Sequence, residues 1–262
     1  MTPDVLTPHQ RAVAERVLAE EGARRRHLVV SLSGAHAYGF PSPDSDLDLK
    51  AVHREPSSRL LGLSPPAPSV DRLEVVDGVE VDYTSNELHG LVNGLLLGNG
   101  NYLERVLGPL LLVSSPEREE LASLARGSLS RRVHRHYRGF ALNQLREVER
   151  TGTPPAKRVL YVLRTAVTGT HLLRSGEVVA DLSLLCDEYG LSDARRLIEA
   201  KRAGEKTPLS TAERDAWLKR IGAVLEGLDA AARSSPLPAE PPNAAALEAW
   251  LLEQRHAHFL PE

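Results

Sequence analysis

Two aspartates, Asp46 and Asp48, stand one residue apart in the run DLDLKAV, where polar and apolar residues alternate. That alternation predicts a half-buried strand over residues 46–52. On a strand, side chains at i and i+2 share a face, roughly 6–7 Å apart along the backbone. Two ionised carboxylates that close repel each other unless positive charge lies between them. Divalent ions supply such charge, and Mg²⁺ binds through a few carboxylates together with substrate phosphates. Two such ions, about 3.5–4 Å apart, serve both the attacking and the leaving oxygen of an in-line displacement. Asp82 is the natural third ligand. In VEVDYTS, Val79, Val81 and Tyr83 share one face and Glu80, Asp82 and Thr84 the other. With the apolar set facing a core, Asp82 points to the open side. Glu80 competes for the role, and Asp82 is preferred because it lies farther from a hairpin tip. Lys50 falls on the face of Asp46 and Asp48, where it offsets their charge or meets a phosphate.

Upstream, Gly34 sits where the apolar run HLVVSLS gives way to a loop. Glycine allows positive φ and a close approach of backbone to phosphate. Successive N–H groups in such a turn cradle an anion, and Ser33 could add a hydroxyl.

Several elements must position these groups. Thr7, Pro8 and Gln10 predict a capped helix to about residue 22. A buried strand over 27–33, a loop over 34–45 and the aspartate strand follow. Residues 55–69 read as a Pro/Ser-rich loop, and Asp77-Gly78 between alternating runs predicts a hairpin. Thr84 and Glu87 read as a capping box for a helix to about residue 97, and Asn101 as the cap of a short helix to residue 107. From Ser115 onward the pattern is helical, over 116–126, 130–150, 155–174, 182–189, 192–202 and 211–232, with a last helix capped by Asn243. The expected fold class is α+β. A small mixed sheet with flanking helices occupies residues 1–114, and an all-helical domain over 115–262 is expected to pack on the sheet's open face.

Bulk properties narrow the function. The 262 residues suffice for one large domain or two modest ones. A net charge of -3 means that any nucleic acid needs a local basic patch, and 4% aromatic residues offer no obvious base-stacking platform. The helix carrying Arg131, Arg132, His134, Arg135, His136 and Arg138 either is solvated or meets a polyanion, and Arg24 to Arg26 read as a solvated connector. The single cysteine, Cys186, excludes an intrachain disulfide. With no signal-peptide core and no membrane-length apolar run, a cytoplasmic protein without membrane contact is expected. Oligomeric state is not readable.

Taken together, Leu32-Ser33-Gly34, Asp46-Leu47-Asp48 and a carboxylate on a later strand resemble the polymerase-β-like nucleotidyltransferase superfamily. SGAHAYGFPSPDSDLDLKAV is similar to its subfamily that includes RNA-repair-ligase-associated polymerases, and GNGNYLERVL and AKRVLYVLRTAVTGTHLLRSG resemble two further segments of that group. The resemblance covers residues from about 28 to 176. It implies two Mg²⁺ (or Mn²⁺) ions on Asp46, Asp48 and Asp82, which are then also the catalytic residues. It further implies an NTP or dNTP substrate and transfer of a nucleoside monophosphate to an acceptor hydroxyl, with loss of pyrophosphate. An RNA 3′ end is the first acceptor it suggests. A protein hydroxyl or an aminoglycoside-like small molecule is the alternative, and a nucleotide- or RNA-binding regulator without turnover is a different class. Ser33, Gly34, His36 and Ser45 become nucleotide contacts under this reading, as do Lys157, Tyr161 and Arg164, which share a helix face. Packing of the loop by His36 and Tyr38, turn capping by Ser42 and Ser45, and an intramolecular ion pair for the helical residues compete with it. One departure is Ala35, where the family has a serine that helps bind triphosphate; backbone amides, Ser33 or Ser45 are left to substitute.

Overall fold

The computed structural model describes residues 5–204 and 208–260. The elements in order are α1 (Pro8–Gly22), β1 (Arg26–Leu32), a helical turn α2 (Gly34–Ala37), β2 (Leu47–Arg54), α3 (Ser57–Leu60), β3 (Ser69–Val76), β4 (Val79–Glu87), α4 (Leu88–Leu96), α5 (Gly100–Leu107), β5 (Leu111–Ser114), α6 (Arg118–Gly127), α7 (Val133–Arg150), α8 (Ala156–Ser175), α9 (Leu182–Leu185), α10 (Ala194–Ala203), α11 (Thr211–Ser234) and α12 (Ala244–Ala257). The fold is α+β, as expected. The chain divides into two compact units, and the division does not fall at one position. The sheet unit comprises Met1–Gly34, Asp46–Ser128 and Pro241–Glu262; the helical unit comprises Ala35–Ser45 and Leu129–Glu240.

The sheet unit holds five strands in the order β3-β4-β2-β1-β5. β2 runs parallel to β4, and every other neighbouring pair is antiparallel. The β3–β4 hairpin sets this geometry: β3 lies at the edge and returns the chain so that β4 lies beside β2. Asp77 and Gly78 at its tip both take positive φ, 49° and 81°, as a tight hairpin of this type needs. One face of the sheet packs on α1. Val13, Ala14 and Val17 meet Val30, Leu32, Leu47, Leu49, Ala51, Val81 and Tyr83 in a closed apolar cluster. The expected capping box of α1 is present, with Thr7 and Gln10 bonding reciprocally.

The helical unit is built on α8, whose buried side chains meet α7, α10 and α11. Two of the charges on α7, and Arg132 just before it, are paired inside this unit. His134 and Arg138 both bond Asp229 Oδ1, at 2.7 and 2.8 Å, and Arg132 pairs with Glu240. Burial, and then the positive charge of Arg164, pushes His136 down to about 4, so it is neutral at pH 7. Among the described residues no helix is long and apolar enough to cross a membrane.

Three local expectations are corrected and one strand is added. Thr84 does not cap a helix: it pairs with Lys50 and Asp71 inside β4, and Glu87 caps α4 by accepting from His89 N at 2.7 Å. Ladder pairing on both sides outweighs the local cap. Asn99, not Asn101, caps α5, its Oδ1 accepting from Asn101 N at 3.0 Å. Asn243 makes no side-chain cap, and its amide instead donates to Leu124 O at 2.8 Å. β5, a short apolar run without alternation, was not anticipated; it exists by pairing with β1.

Candidate active site

β2 carries the site. Leu47 and Leu49 are fully buried against α1, which turns Asp48 and Lys50 to the other face. β4 does the same with Val81 and Tyr83 buried and Asp82 half-buried opposite. The parallel register then pairs Asp48 directly with Asp82, one strand spacing away at about 4.8 Å. Glu80 lies outside the β2–β4 pairing and is exposed, so Asp82 is the β4 carboxylate set beside β2. Asp46 immediately precedes the strand, half-buried.

Gly34 fits this face closely. Its φ is +62°, and a Cβ built on it would stand 1.7 Å from Asp48 Oδ2. The Asp48 carboxylate therefore rests against the backbone of the turn, in space that only glycine leaves open. Ser33 N donates to Asp48 O at 2.8 Å, continuing the β1–β2 pairing into the turn. Sequence reasoning required glycine for approach to a phosphate; the group that the glycine admits in this structure is the aspartate itself.

Positive charge does lie between the carboxylates. Lys50 Nζ sits 2.8 Å from Asp82 Oδ1 and 3.8 Å from Asp48 Oδ1. Of the two roles foreseen for Lys50, charge compensation is the one visible here. Among the described residues, no three His, Cys, Asp or Glu side chains gather tightly enough to form a ready-made metal site. The donor chemistry nevertheless fits a hard cation: carboxylate oxygens on neighbouring strands, part-exposed, with their repulsion met by the Lys50 ammonium.

The remaining predicted contacts belong to the helical unit, which includes the loop 35–45. His36 is buried. The Arg164 guanidinium lies 3.6 Å from the Tyr38 ring centre. Tyr161 packs edge-on to Tyr38 and Phe40 at 5.7 and 5.6 Å, with Lys157 Nζ 5.9 Å from its ring. Ser45 and Ser42 bond to each other at 3.0 Å, and Ser42 N donates to Ser45 Oγ. Lys201, which sequence reasoning missed, is almost fully buried and donates to both hydroxyls, at 2.6 and 3.0 Å. Arg202 donates to Gly39 O at 2.9 Å, and Leu182 N to Tyr38 O at 3.1 Å. Helices α8, α9 and α10 thus grip the loop that connects Gly34 to Asp46. The basic end of α10 gave no signal for this, because paired cations at a helix C-terminus read as solvated.

A fragment of the chain is 32% identical, over 160 residues, to an uncharacterised protein of Methanocaldococcus jannaschii. That match spans 60% of this chain and 64% of the relative's length. A solved nucleotidyltransferase-like protein from Exiguobacterium sibiricum aligns over 95% of this chain and 80% of its own, at 14% identity and a TM-score of 0.34, too loose a likeness to argue from. The model of the RNA repair pathway DNA polymerase beta family matches residues 10–253, nearly the whole chain. The protein belongs to the RNA repair pathway DNA polymerase beta family.

Proposed function

We propose that the protein transfers a nucleoside monophosphate from an NTP or dNTP to an acceptor hydroxyl, an RNA 3′ end in the first instance, and releases pyrophosphate. The observation that carries this reading is the in-register pairing of Asp48 with Asp82 beside a glycine turn that only a bare backbone can form. Asp46, Asp48 and Asp82 would hold the Mg²⁺ or Mn²⁺ ions, which when bound neutralise the phosphates and the attacking and leaving oxygens. The chain's own groups do the rest. The turn at Gly34 presents its backbone N–H to the triphosphate, while Ser33 N stays bonded to Asp48 O. Lys50, held by Asp82 and Asp48 in this structure, moves to a phosphate oxygen once those carboxylates are engaged. Asp82 accepts the proton of the attacking hydroxyl while the new O–P bond forms and the bond to pyrophosphate breaks. The neighbours of Ser45, Tyr161 and Arg164 within the helical unit favour their holding the loop over touching nucleotide.

The test is incubation with α-labelled triphosphates and Mg²⁺ in the presence of RNA, protein and aminoglycoside acceptors. Label on RNA supports the reading; label on protein or on the small molecule moves the acceptor. Asp46→Ala and Asp48→Ala are expected to abolish transfer and to leave the fold intact, since neither side chain lies in the apolar cluster. Undiminished turnover by either variant refutes the mechanism. Ala35 favours a second reading, a nucleotide-binding regulator, which tight Mg²⁺-nucleotide binding without transfer would support.

A further inference from the structure

β2 is acidic at its start and basic at its end. Its last residue, Arg54, pairs in register with Arg26, the first residue of β1. Like charges directly opposite each other on antiparallel strands are destabilising. Arg24, Arg25 and Arg59 join these two, and the five arginines line a cavity of about 280 Å³ together with Glu55 and His258. All of its walls belong to the sheet unit.

Among the described residues, these five arginines meet three carboxylates, Glu21, Glu55 and Glu117. Arg24 and Arg25 both draw on Glu21, which also takes Arg72. Arg54 bonds Glu117 and Gln254, both at 3.1 Å, and Arg59 bonds Glu55 at 2.9 Å. Arg26 makes no side-chain hydrogen bond or ion pair among the described residues. Arg25 and Arg54 are largely buried and fixed, whereas Arg24 and Arg59 are more than half exposed. Beneath them, burial and then the charge of Arg25 push His27 down to about 4. The pocket therefore has a buried cationic floor and exposed cationic arms.

We propose that this pocket is a second anion site, which binds phosphate groups through its guanidinium forks. Arginine forks match phosphate oxygens in a bidentate fashion. The site is separate from the carboxylates, because Asp48 and Arg54 are six residues apart on one strand, or roughly 20 Å. Its phosphate comes from a nucleic-acid backbone or from a free polyphosphate, and the two sources are separable by experiment.

Binding of tripolyphosphate and of a short fluorescent oligoribonucleotide would be measured on the full chain in EDTA, over roughly 50–200 mM KCl. Without metal or nucleotide, the result does not depend on whether the acidic end catalyses transfer. The variants are R24Q/R26Q/R59Q and, separately, Arg26→Glu, which strips no internal partner. The expected result is a loss of affinity of about tenfold or more. If the oligonucleotide weakens and its salt slope falls by about 0.7 per lost phosphate contact, the occupant is a strand. If only tripolyphosphate weakens, the occupant is a free polyphosphate. Affinities for both probes equal to wild type in both variants would overturn the proposal.

Discussion

Gly34→Ala isolates the contact on which the site depends. Two costs can be worked out. A non-glycine residue at φ +62° loses roughly 1–2 kcal/mol. The new Cβ would also stand 1.7 Å from Asp48 Oδ2, where ordinary contact begins near 3.4 Å, so carboxylate or turn must retreat by about 1.7 Å. Misplacing a catalytic group by about 1 Å can cost on the order of 100-fold, or about 2.7 kcal/mol of barrier. Gly78→Ala is the control, because Gly78 has φ +81° and nothing within 4 Å of a built Cβ. Urea unfolding and initial rates of labelled nucleotide transfer give the two readouts. Gly78→Ala should lose stability only. Gly34→Ala should lose at least as much stability and about 100-fold in kcat. Combining Gly34→Ala with Asp48→Ala should return the stability loss to that of the control. A folded Gly34→Ala enzyme turning over within about threefold of wild type would refute the argument that Asp48 must lie against the turn.

Other outcomes follow from the same geometry. Ala35→Ser should tighten triphosphate binding several-fold, one added hydrogen bond being worth about 0.5–1.5 kcal/mol; calorimetry showing equal or weaker binding means another donor already fills the place. Lys201→Met keeps the buried stem and removes the ammonium from Ser42 and Ser45, so it should cost about 1–3 kcal/mol and slow transfer. A stability equal to wild type would count against the clamp. Burial holds His27, His53 and His136 at about 4 instead of 6.5. The unfolded chain therefore binds more protons between those values. The stability these histidines confer is whole above pH 6.5 and is lost as pH falls toward 4, by up to roughly 3 kcal/mol per histidine. Urea melts that do not change between pH 6.5 and 4.5 would contradict it.

The aspartate face was legible because period-two alternation carries its own orientation. Leu47 and Leu49 inward force Asp48 outward, and Asp77-Gly78 announces the strand that bears Asp82. That β4 lies beside β2, and in a register that sets Asp82 opposite Asp48, was not legible, since strand order is a long-range property. The same limit hid the arginine pocket. Arg24 to Arg26 looked like a connector because Arg54 and Arg59, distant in sequence, complete the cluster only after β1 and β2 pair. Lys201 was hidden for the opposite reason: a cation near a helix end has an easy solvated explanation, and only burial against two serines contradicts it.

With Lys50 between Asp82 and Asp48, the protein carries its own counter-ion. Folding need not wait for a divalent metal, because the repulsion that would splay the two strands is already quenched. Under the proposed mechanism, arrival of an ion would be an exchange of cations and not an addition, and the freed ammonium would be delivered at the moment when a triphosphate needs one.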